Sequence, residues 1–424
     1  MRCLVLVVFI AGLIPSEMFG EAPKDPGGGS TGTIVFVESW PQHTALDLPD
    51  LNDASKVWPE ILGSASDQIL LAGFYFSRKG DGKDSYGPDS APDLFLPTLE
   101  AVSVAAHSGV KVRTLADAKF NRTYPEVPVW LGDLPGAETR ILDMAQIPGG
   151  GVLHAKYFLV DDDVFFVGSQ NFDWRALGQI HELGVLIKHP KIAAEARRVF
   201  DMDWRTAEGD IGTSRIQAGK PLNQWPKHRV ALAGGSTVEV LVAASPQSYL
   251  PPDIPWDLPL MVEMIDSAAD SVHVQLLSYN VTDREKRLFD DLDRALRRAA
   301  VRGAEVRIIL SNWAKSRYAL PWLKSLATVP GLEIRFTNIP EHPDGFIPFA
   351  RVEHAKYLTV DGRMCWLGTS NWSRDYFHSS RNIGVILLGE GAAADPDRFF
   401  NRNWHGPYAE TVEPCGKYTA PRRN

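Results

Sequence analysis

Hydrophobic and polar positions alternate along this chain in two ways. Short apolar runs with period two or no polar break are followed by longer stretches where apolar residues recur every three or four. Ordered sequence starts near Ile34 with TIVFVESWP, a β-rich run. Residues 56–76 read as a helix and then a buried strand, ILLAGFYF. A polar Gly/Pro/Asp loop fills 77–93, a helix covers 94–108, and GVKVRTL reads as a strand. The same order returns later. Residues 259–270 predict a helix, SVHVQLLSY a strand, 284–302 an amphipathic basic helix and AEVRIIL a strand. GLEIRFT then answers the earlier ETRILD. Alternating strands and helices predict an α/β fold.

The return is a duplication. HELGVLI at 181–187 matches RNIGVIL at 381–387, and RVFDMDW at 198–204 matches RFFNRNW at 398–404. Arg198/Arg398, Phe200/Phe400 and Trp204/Trp404 keep one offset of 200 residues. Such an offset marks two copies of one structural unit. We expect an N-terminal half over 34–206, a connector over 207–235 where periodicity is lost, and a C-terminal half over 236–424. One site on a pseudo-twofold axis would use both copies.

Each copy holds the pattern H-x-K-x4-D-x6-G-S/T-x-N. The first contains His154, Lys156, Asp161, Gly168, Ser169 and Asn171. The second contains His354, Lys356, Asp361, Gly368, Thr369 and Asn371. Residues two apart on a strand share a face, so His and Lys of each copy project together. Paired, the copies would line one cleft with two imidazoles, two ammoniums, two hydroxyls and two amides. That set suits a tetrahedral oxyanion such as a phosphodiester. One histidine would attack phosphorus and the other would protonate the leaving alkoxide. Water would then hydrolyse the phosphohistidine. Fixed protein cations could do this without a metal, and no cofactor is expected. Asp161 and Asp361 also suit a plainer task, anchoring a turn or a neighbouring strand. Gly168 and Gly368 suit close backbone packing.

One asymmetry bears on roles. Glu182 follows His154 by 28 residues, and Asn382 follows His354 by the same 28. A carboxylate on Nδ1–H would stabilise a cationic phosphohistidine. This spacing predicts His154, backed by Glu182, as nucleophile and His354, backed by Asn382, as general acid.

Composition narrows the surroundings. The formal charge of −8 argues against polyanion binding by bulk charge but leaves a local basic site open. MRCLVLVVFIAGLIPSEMFG, residues 1–20, has the basic start and short apolar core of a secretory signal peptide, with a buried strand or an uncleaved anchor as other readings. Residues 21–33 form a Gly-rich linker. The expected setting is therefore an exported protein: secreted, periplasmic or in an endolysosomal lumen. The run at 4–14 is too short to span a bilayer. Outside it, Cys365 and Cys415 could form one disulfide, or Cys365 in MCWLG could be a buried thiol. No Cys/His cluster has zinc spacing.

At its doubled motif the sequence resembles the phospholipase D superfamily, and it is most similar to the animal endolysosomal 5′ exonuclease subgroup. FVESWP, GSQNFDWRAL, IPFARVEHAKY and NWHGPY carry the subgroup likeness, and several of these stretches reach outside the signature itself. The resemblance implies two pseudo-symmetric α/β/α sandwich halves sharing one active site. It implies catalytic roles for His154, Lys156, Asn171, His354, Lys356 and Asn371, with Glu182 as histidine partner. It also implies single-stranded nucleic acid, attacked from its 5′ end, as substrate, and an acidic pH optimum. The chain departs from the animal pattern in keeping Asp361 and in its few cysteines. Phospholipid is the competing substrate, and a catalytically dead phosphate-binding protein is a third reading that the intact motifs oppose. Nucleic acid calls for aromatic platforms, for which Phe74, Tyr75, Phe76 and Trp313 are candidates. Phospholipid calls for a membrane-facing surface, for which the basic stretch at 284–302 is the candidate.

Overall fold

Residues 32–211, 219–283 and 285–424 are described by the computed structural model. The signal-like segment 1–20 and the linker up to residue 31 lie outside them. The linker expectation ran two residues too far, because β1 (Gly32–Ser39) begins at Gly32.

The first half continues with α1 (Ala54–Gly63), β2 (Gln68–Gly73), α2 (Leu96–His107), β3 (Lys111–Asp117) and β4 (Ala137–Leu142). β5 (Lys156–Val160), β6 (Val164–Gly168), β7 (Glu182–Lys188) and the helix α3 (Pro190–Ala207) complete it. A strand β8 (His228–Leu232) lies within the expected connector. It pairs with β1 and with β9 (Thr237–Ser245), so the connector extends the sheet rather than merely linking halves.

The second half repeats the plan. It runs α4 (Asp257–Ser267), β10 (Ser271–Leu276), α5 (Asp291–Arg302), β11 (Glu305–Ser311) and β12 (Leu332–Thr337). Then come β13 (Tyr357–Val360), β14 (Met364–Gly368), β15 (Asn382–Leu388), α6 (Ala394–Trp404) and β16 (Ala409–Thr411). The pairings give the order β4-β3-β2-β5-β6-β7-β1 in one half and β12-β11-β10-β13-β14-β15-β9 in the other. The two orders are the same list, joined through β8. The expected α/β architecture with two pseudo-symmetric halves is the observed one.

Local chemistry sets the elements. After Gln68, ILLAG is apolar without a break because β2 is a central strand covered on both faces. The basic helix expected over 284–302 starts only at Asp291. Ahead of it, Asp283 accepts from the Arg287 backbone and side chain, and Phe289 N–H donates to Val281, which folds that stretch into a turn. Asp291 and Asp293 then favour the helix N-terminus, while Arg302 and left-handed Gly303 close its end. Its cations are spent on neighbours: Arg297 on Asp293 at 2.6 Å and Arg298 on Asp266 at 2.7 Å.

Three apolar clusters lie among the described residues. One lies under α1 and α2, one under α4 and α5. The third joins the halves, drawing Leu183, Val185 and Ile187 from β7, Ile383, Val385 and Leu387 from β15, and Phe200 and Phe400 from α3 and α6. This shared core holds the two copies of the motif face to face. Cys365 is buried and Cys415 exposed, and both are free thiols, so the disulfide is not formed.

Candidate active site

The segment before β5 does not stay with its own half. Leu153 pairs with Arg381 across the pseudo-twofold, and His154 N–H donates to the Arg381 carbonyl at 2.9 Å. In mirror fashion His181 pairs with Glu353, and His354 N–H donates to the His181 carbonyl at 2.9 Å. Gly151 permits the first crossing, since a Cβ there would sit 2.4 Å from the Ser379 carbonyl oxygen. Asp117, at the end of β3, fixes the same segment by accepting from Leu153 N–H at 2.8 Å.

Crossing exchanges the histidine partners. His354 Nδ1 lies 2.8 Å from both oxygens of Glu182. His154 Nδ1 lies 3.1 Å from Asn382 Oδ1. The spacing argument, which paired Glu182 with His154 and Asn382 with His354, is corrected here. Each partner heads a strand of its own half, while each histidine is carried over to the opposite strand. Asn382 is oriented by its surroundings: its Nδ2 donates to the Tyr376 carbonyl at 2.8 Å, and its Oδ1 accepts from Thr369 Oγ1 at 2.9 Å. His154 must therefore donate from Nδ1–H.

Lys156 and Lys356 are fully buried, and each donates to the carbonyl of the histidine two residues before it. Burial first, then the two ammoniums, push both His154 and His354 well below the ordinary imidazole range. Burial also pushes Lys356 down to about 7, against the opposing pull of Glu182 and Glu353. Burial and the Lys356 charge push Lys156 well down. Burial raises Glu182, opposed by Lys356, by a hydrogen bond from Ser169 and by Lys156.

The remaining candidates divide. Asn171 and Asn371 are buried, and the Oδ1 of both and the Nδ2 of Asn371 have no hydrogen-bond partner. The unpaired Nδ2 of Asn371 is a donor that an anionic ligand could satisfy. Ser169 and Thr369 are different: Ser169 exchanges bonds with the Leu183 backbone, and Thr369 bonds Ile383 and Asn382. They position the partners rather than face a substrate.

Asp161 and Asp361 are corrected out of the catalytic set. They sit at the far ends of β5 and β13, in left-handed turns with φ of 50°. Asp161 accepts from the backbone N–H groups of Ser66, Asp67 and Gln68, and Asp361 from those of Ala269, Asp270 and Ser271. Each ties its strand to the neighbouring one.

Sequence reasoning missed the supports beneath the histidines. Arg381 and Asp203 form a fully buried bidentate pair at 2.9–3.0 Å. In the other half His181 replaces Arg381 and lies 2.5 Å from Glu353, while Asn403 replaces Asp203 and donates to Glu353. The aligned segments at 181/381 and 203/403 contained this exchange of residue types. Aromatic rings also flank His154: Phe74 at 4.7 Å and Tyr376 at 4.8 Å between centroids. Phe120 packs on Phe74 at 3.9 Å, and Tyr75 stacks on Tyr124 at 5.2 Å. Phe76, by contrast, is core, stacked on Phe172. Trp313 lies at the end of β11, half-buried beside Phe349.

A family model described as "Cardiolipin synthase, PLD-like domain" matches residues 59–204 and again 261–404. The chain belongs to the phospholipase D superfamily. It is a phosphodiesterase of that superfamily, and the two matched blocks are the two halves of the fold. A second model, "PLD3/4, PLD-like domain", matches residues 133–331. The chain is 28% identical over 395 residues to phospholipase D Z of Dictyostelium discoideum, covering 90% of this chain and 91% of that one. It is 29% identical over 405 residues to the 5′-3′ exonuclease PLD3 of Macaca fascicularis, covering 89% and 80%. Among solved structures, the phosphatidylserine synthase of Haemophilus influenzae Rd KW20 superposes with a TM-score of 0.59 at 12% identity over 85% of each chain, which shows the fold. Among the described residues no helix is long and apolar enough to cross a membrane.

Proposed function

We propose that the protein cleaves phosphodiesters at the 5′ ends of single-stranded nucleic acid, through a phosphohistidine formed on His354. The observation that carries the mechanism is the exchanged pairing of two buried histidines, one with a carboxylate and one with an amide. His354 Nδ1–H donates to Glu182, so Nε2 carries the lone pair that attacks phosphorus. The P–N bond forms as the P–O bond to the leaving alkoxide breaks. Glu182 stabilises the positive charge left on the ring. His154, with only a neutral amide behind it, becomes the stronger acid once protonated, and it gives its Nε2 proton to the alkoxide. It then deprotonates the water that displaces His354 from phosphorus. Lys156, Lys356, Asn171 and Asn371 take up the charge on the phosphoryl oxygens. The roles proposed from spacing are thereby reversed, because the premise that paired Glu182 with His154 does not hold.

Two features support nucleic acid as substrate. Phe74, Phe120 and Tyr75 are half-buried rings beside His154, the kind of platform on which bases stack. The likeness to 5′-3′ exonucleases extends over most of the chain. The basic helix that phospholipid would favour has its cations in ion pairs. We also propose export through residues 1–20, to be checked by N-terminal sequencing of the protein recovered outside the cytosol.

The test uses purified residues 21–424 and the His154→Ala variant, with EDTA present, from pH 5 to 8. A 5′-hydroxyl single-stranded oligonucleotide and phosphatidylcholine vesicles are offered in parallel. Stepwise nucleotide release, absent in the variant, is the expected result. Choline release with an untouched oligonucleotide would replace this reading with phospholipid hydrolysis.

A further inference from the structure

Three arginines are buried among the described residues: Arg175, Arg351 and Arg381. Two of them have a carboxylate. Arg175 forks onto Asp173 and Arg381 onto Asp203. Arg351 meets only neutral acceptors. Its Nε donates to the Pro340 carbonyl at 2.8 Å, and its Nη1 donates to the Gln42 carbonyl at 2.7 Å and to Gln179 Oε1 at 3.2 Å. Its Nη2 is buried without a hydrogen-bond partner. A buried cation is ordinarily paired, because desolvation otherwise weighs against it. Burial accordingly pushes Arg351 down to about 10, whereas for Arg175 and Arg381 burial is outweighed by the aspartates, which hold them above the ordinary arginine value. A second orphan donor stands on the same loop. His342 is buried, and its Nδ1 accepts from Asp344 N–H at 3.2 Å. Nε2 then carries the proton, and it too has no partner. Both side chains meet one dipeptide: Arg351 bonds the Gln42 carbonyl, and the His342 ring meets the His43 ring edge-on at 5.2 Å.

We propose that Arg351 and His342 form a binding site for a second phosphate of the substrate strand, distinct from the scissile one; this rests on nucleic acid being the substrate. Both unpaired groups are donors, so one oxyanion satisfies both, and a guanidinium with a free Nη2 suits phosphoryl oxygens. The position along the chain agrees with the chemistry. Arg351 N–H donates to the Gln179 carbonyl at 2.8 Å, His181 N–H to the Val352 carbonyl at 3.0 Å, and His354 N–H to the His181 carbonyl at 2.9 Å. That short ladder carries the chain from Arg351 to the proposed nucleophile in three residues, at most about 10 Å. One strand can therefore meet both places. The 77–93 loop, which follows β2, adds to the site. Its Lys79 Nζ donates to the Pro88 and Ala91 carbonyls, which are again neutral, and its Ser90 Oγ donates to Asp344 at 2.5 Å, engaging the carboxylate near His342. Both orphan donors lie beneath the surface, and the exposed His43 ring against His342 is the cover that turns aside for an anion to enter.

Dimethyl phosphate, a diester anion without a base, tests the site directly. It is titrated into protein labelled with 15N at histidine, and the His342 ring signals, assigned through His342→Gln, are followed by NMR. A saturable His342 shift is expected, lost in Arg351→Gln while the His154 and His354 signals still respond. The wild type is then offered single-stranded oligonucleotides in which one linkage at a time is a neutral methylphosphonate. One non-scissile position should raise KM by about tenfold, the loss of one charged hydrogen bond, with kcat little changed. In Arg351→Gln that position should lose its effect, and the slope of log affinity against log salt should become shallower by about 0.7. KM for a nitrophenyl phosphodiester, which has no second phosphate, should rise less. If Arg351→Gln does not fold, the wild-type titration and the methylphosphonate series still decide. No His342 shift, as when a buried water alone meets the two donors, would overturn the proposal, and so would an equal KM at every non-scissile position. A His342 shift with the oligonucleotide left uncleaved would count against nucleic acid as substrate and leave the anion site standing.

Discussion

Glu182 and Asn382 occupy equivalent positions 200 residues apart, yet they give their histidines different chemistry. A carboxylate behind an imidazole strengthens it as a base and nucleophile, whereas an amide orients it without adding basicity. Glu182→Gln should therefore lower kcat by about 10³-fold or more, as loss of a histidine-orienting carboxylate does elsewhere. Asn382→Ala should cost less, because it removes an orienting acceptor and no charge. Single-turnover kinetics on the two variants would check the order of severity. At this scale the sequence was informative about residue type and spacing. His154, Lys156, Glu182, His354, Lys356 and Asn382 lie against one another across the axis. It was silent about partnership, because both cross-pairings conserve spacing, and only the strand crossing at Gly151 decides between them.

At the scale of elements, the acidic residues of the motif act on the sheet. Burial raises Asp161, but bonds from Asp67, Gln68 and Ser66 outweigh it and hold its carboxyl below the usual range. Asp361 behaves alike through Ala269, Ser271 and Asp270. A depressed carboxyl contributes stability above its unfolded value, near 3.8 here, and that contribution is lost as pH falls through the folded value. Asp161→Asn should thus lower the melting temperature at neutral pH and lose that difference in strong acid. Activity of the folded fraction should stay near wild type. The buried Arg381–Asp203 pair predicts a larger effect. Arg381→Ala leaves Asp203 charged and unpaired, at a cost of about 3–5 kcal/mol, measurable by denaturant unfolding. Strand and helix order was legible from periodicity, because both faces of the central strands are apolar. The start of α5 was not, since Asp283 and Arg287 form a turn whose charges look like the first turn of a helix.

For the whole molecule, duplication places two different half-sites across one axis. The nucleophile must be neutral, which holds above its depressed value; the acid must be protonated, which holds below its own. Lys356 loses its charge near 7. Activity should therefore peak below pH 6.5 and decline as pH rises through about 7, with kcat/KM measured across buffers of constant ionic strength. Phe74→Ala should raise KM for an oligonucleotide by about tenfold, the loss of one stacked base, and leave a small aryl diester little changed.

The most direct test of the exchanged pairing is to locate the covalent phosphate. His154→Ala lacks the proposed acid and water-activating base but keeps His354 and Glu182. With a nitrophenyl phosphodiester, whose leaving group needs no proton, it should release one equivalent of nitrophenol and stall. Peptide mapping by mass spectrometry at neutral to alkaline pH should then find the phosphoryl group on His354. Label on another residue of the variant, or on His154 when the wild type is trapped in the same way, would contradict the account.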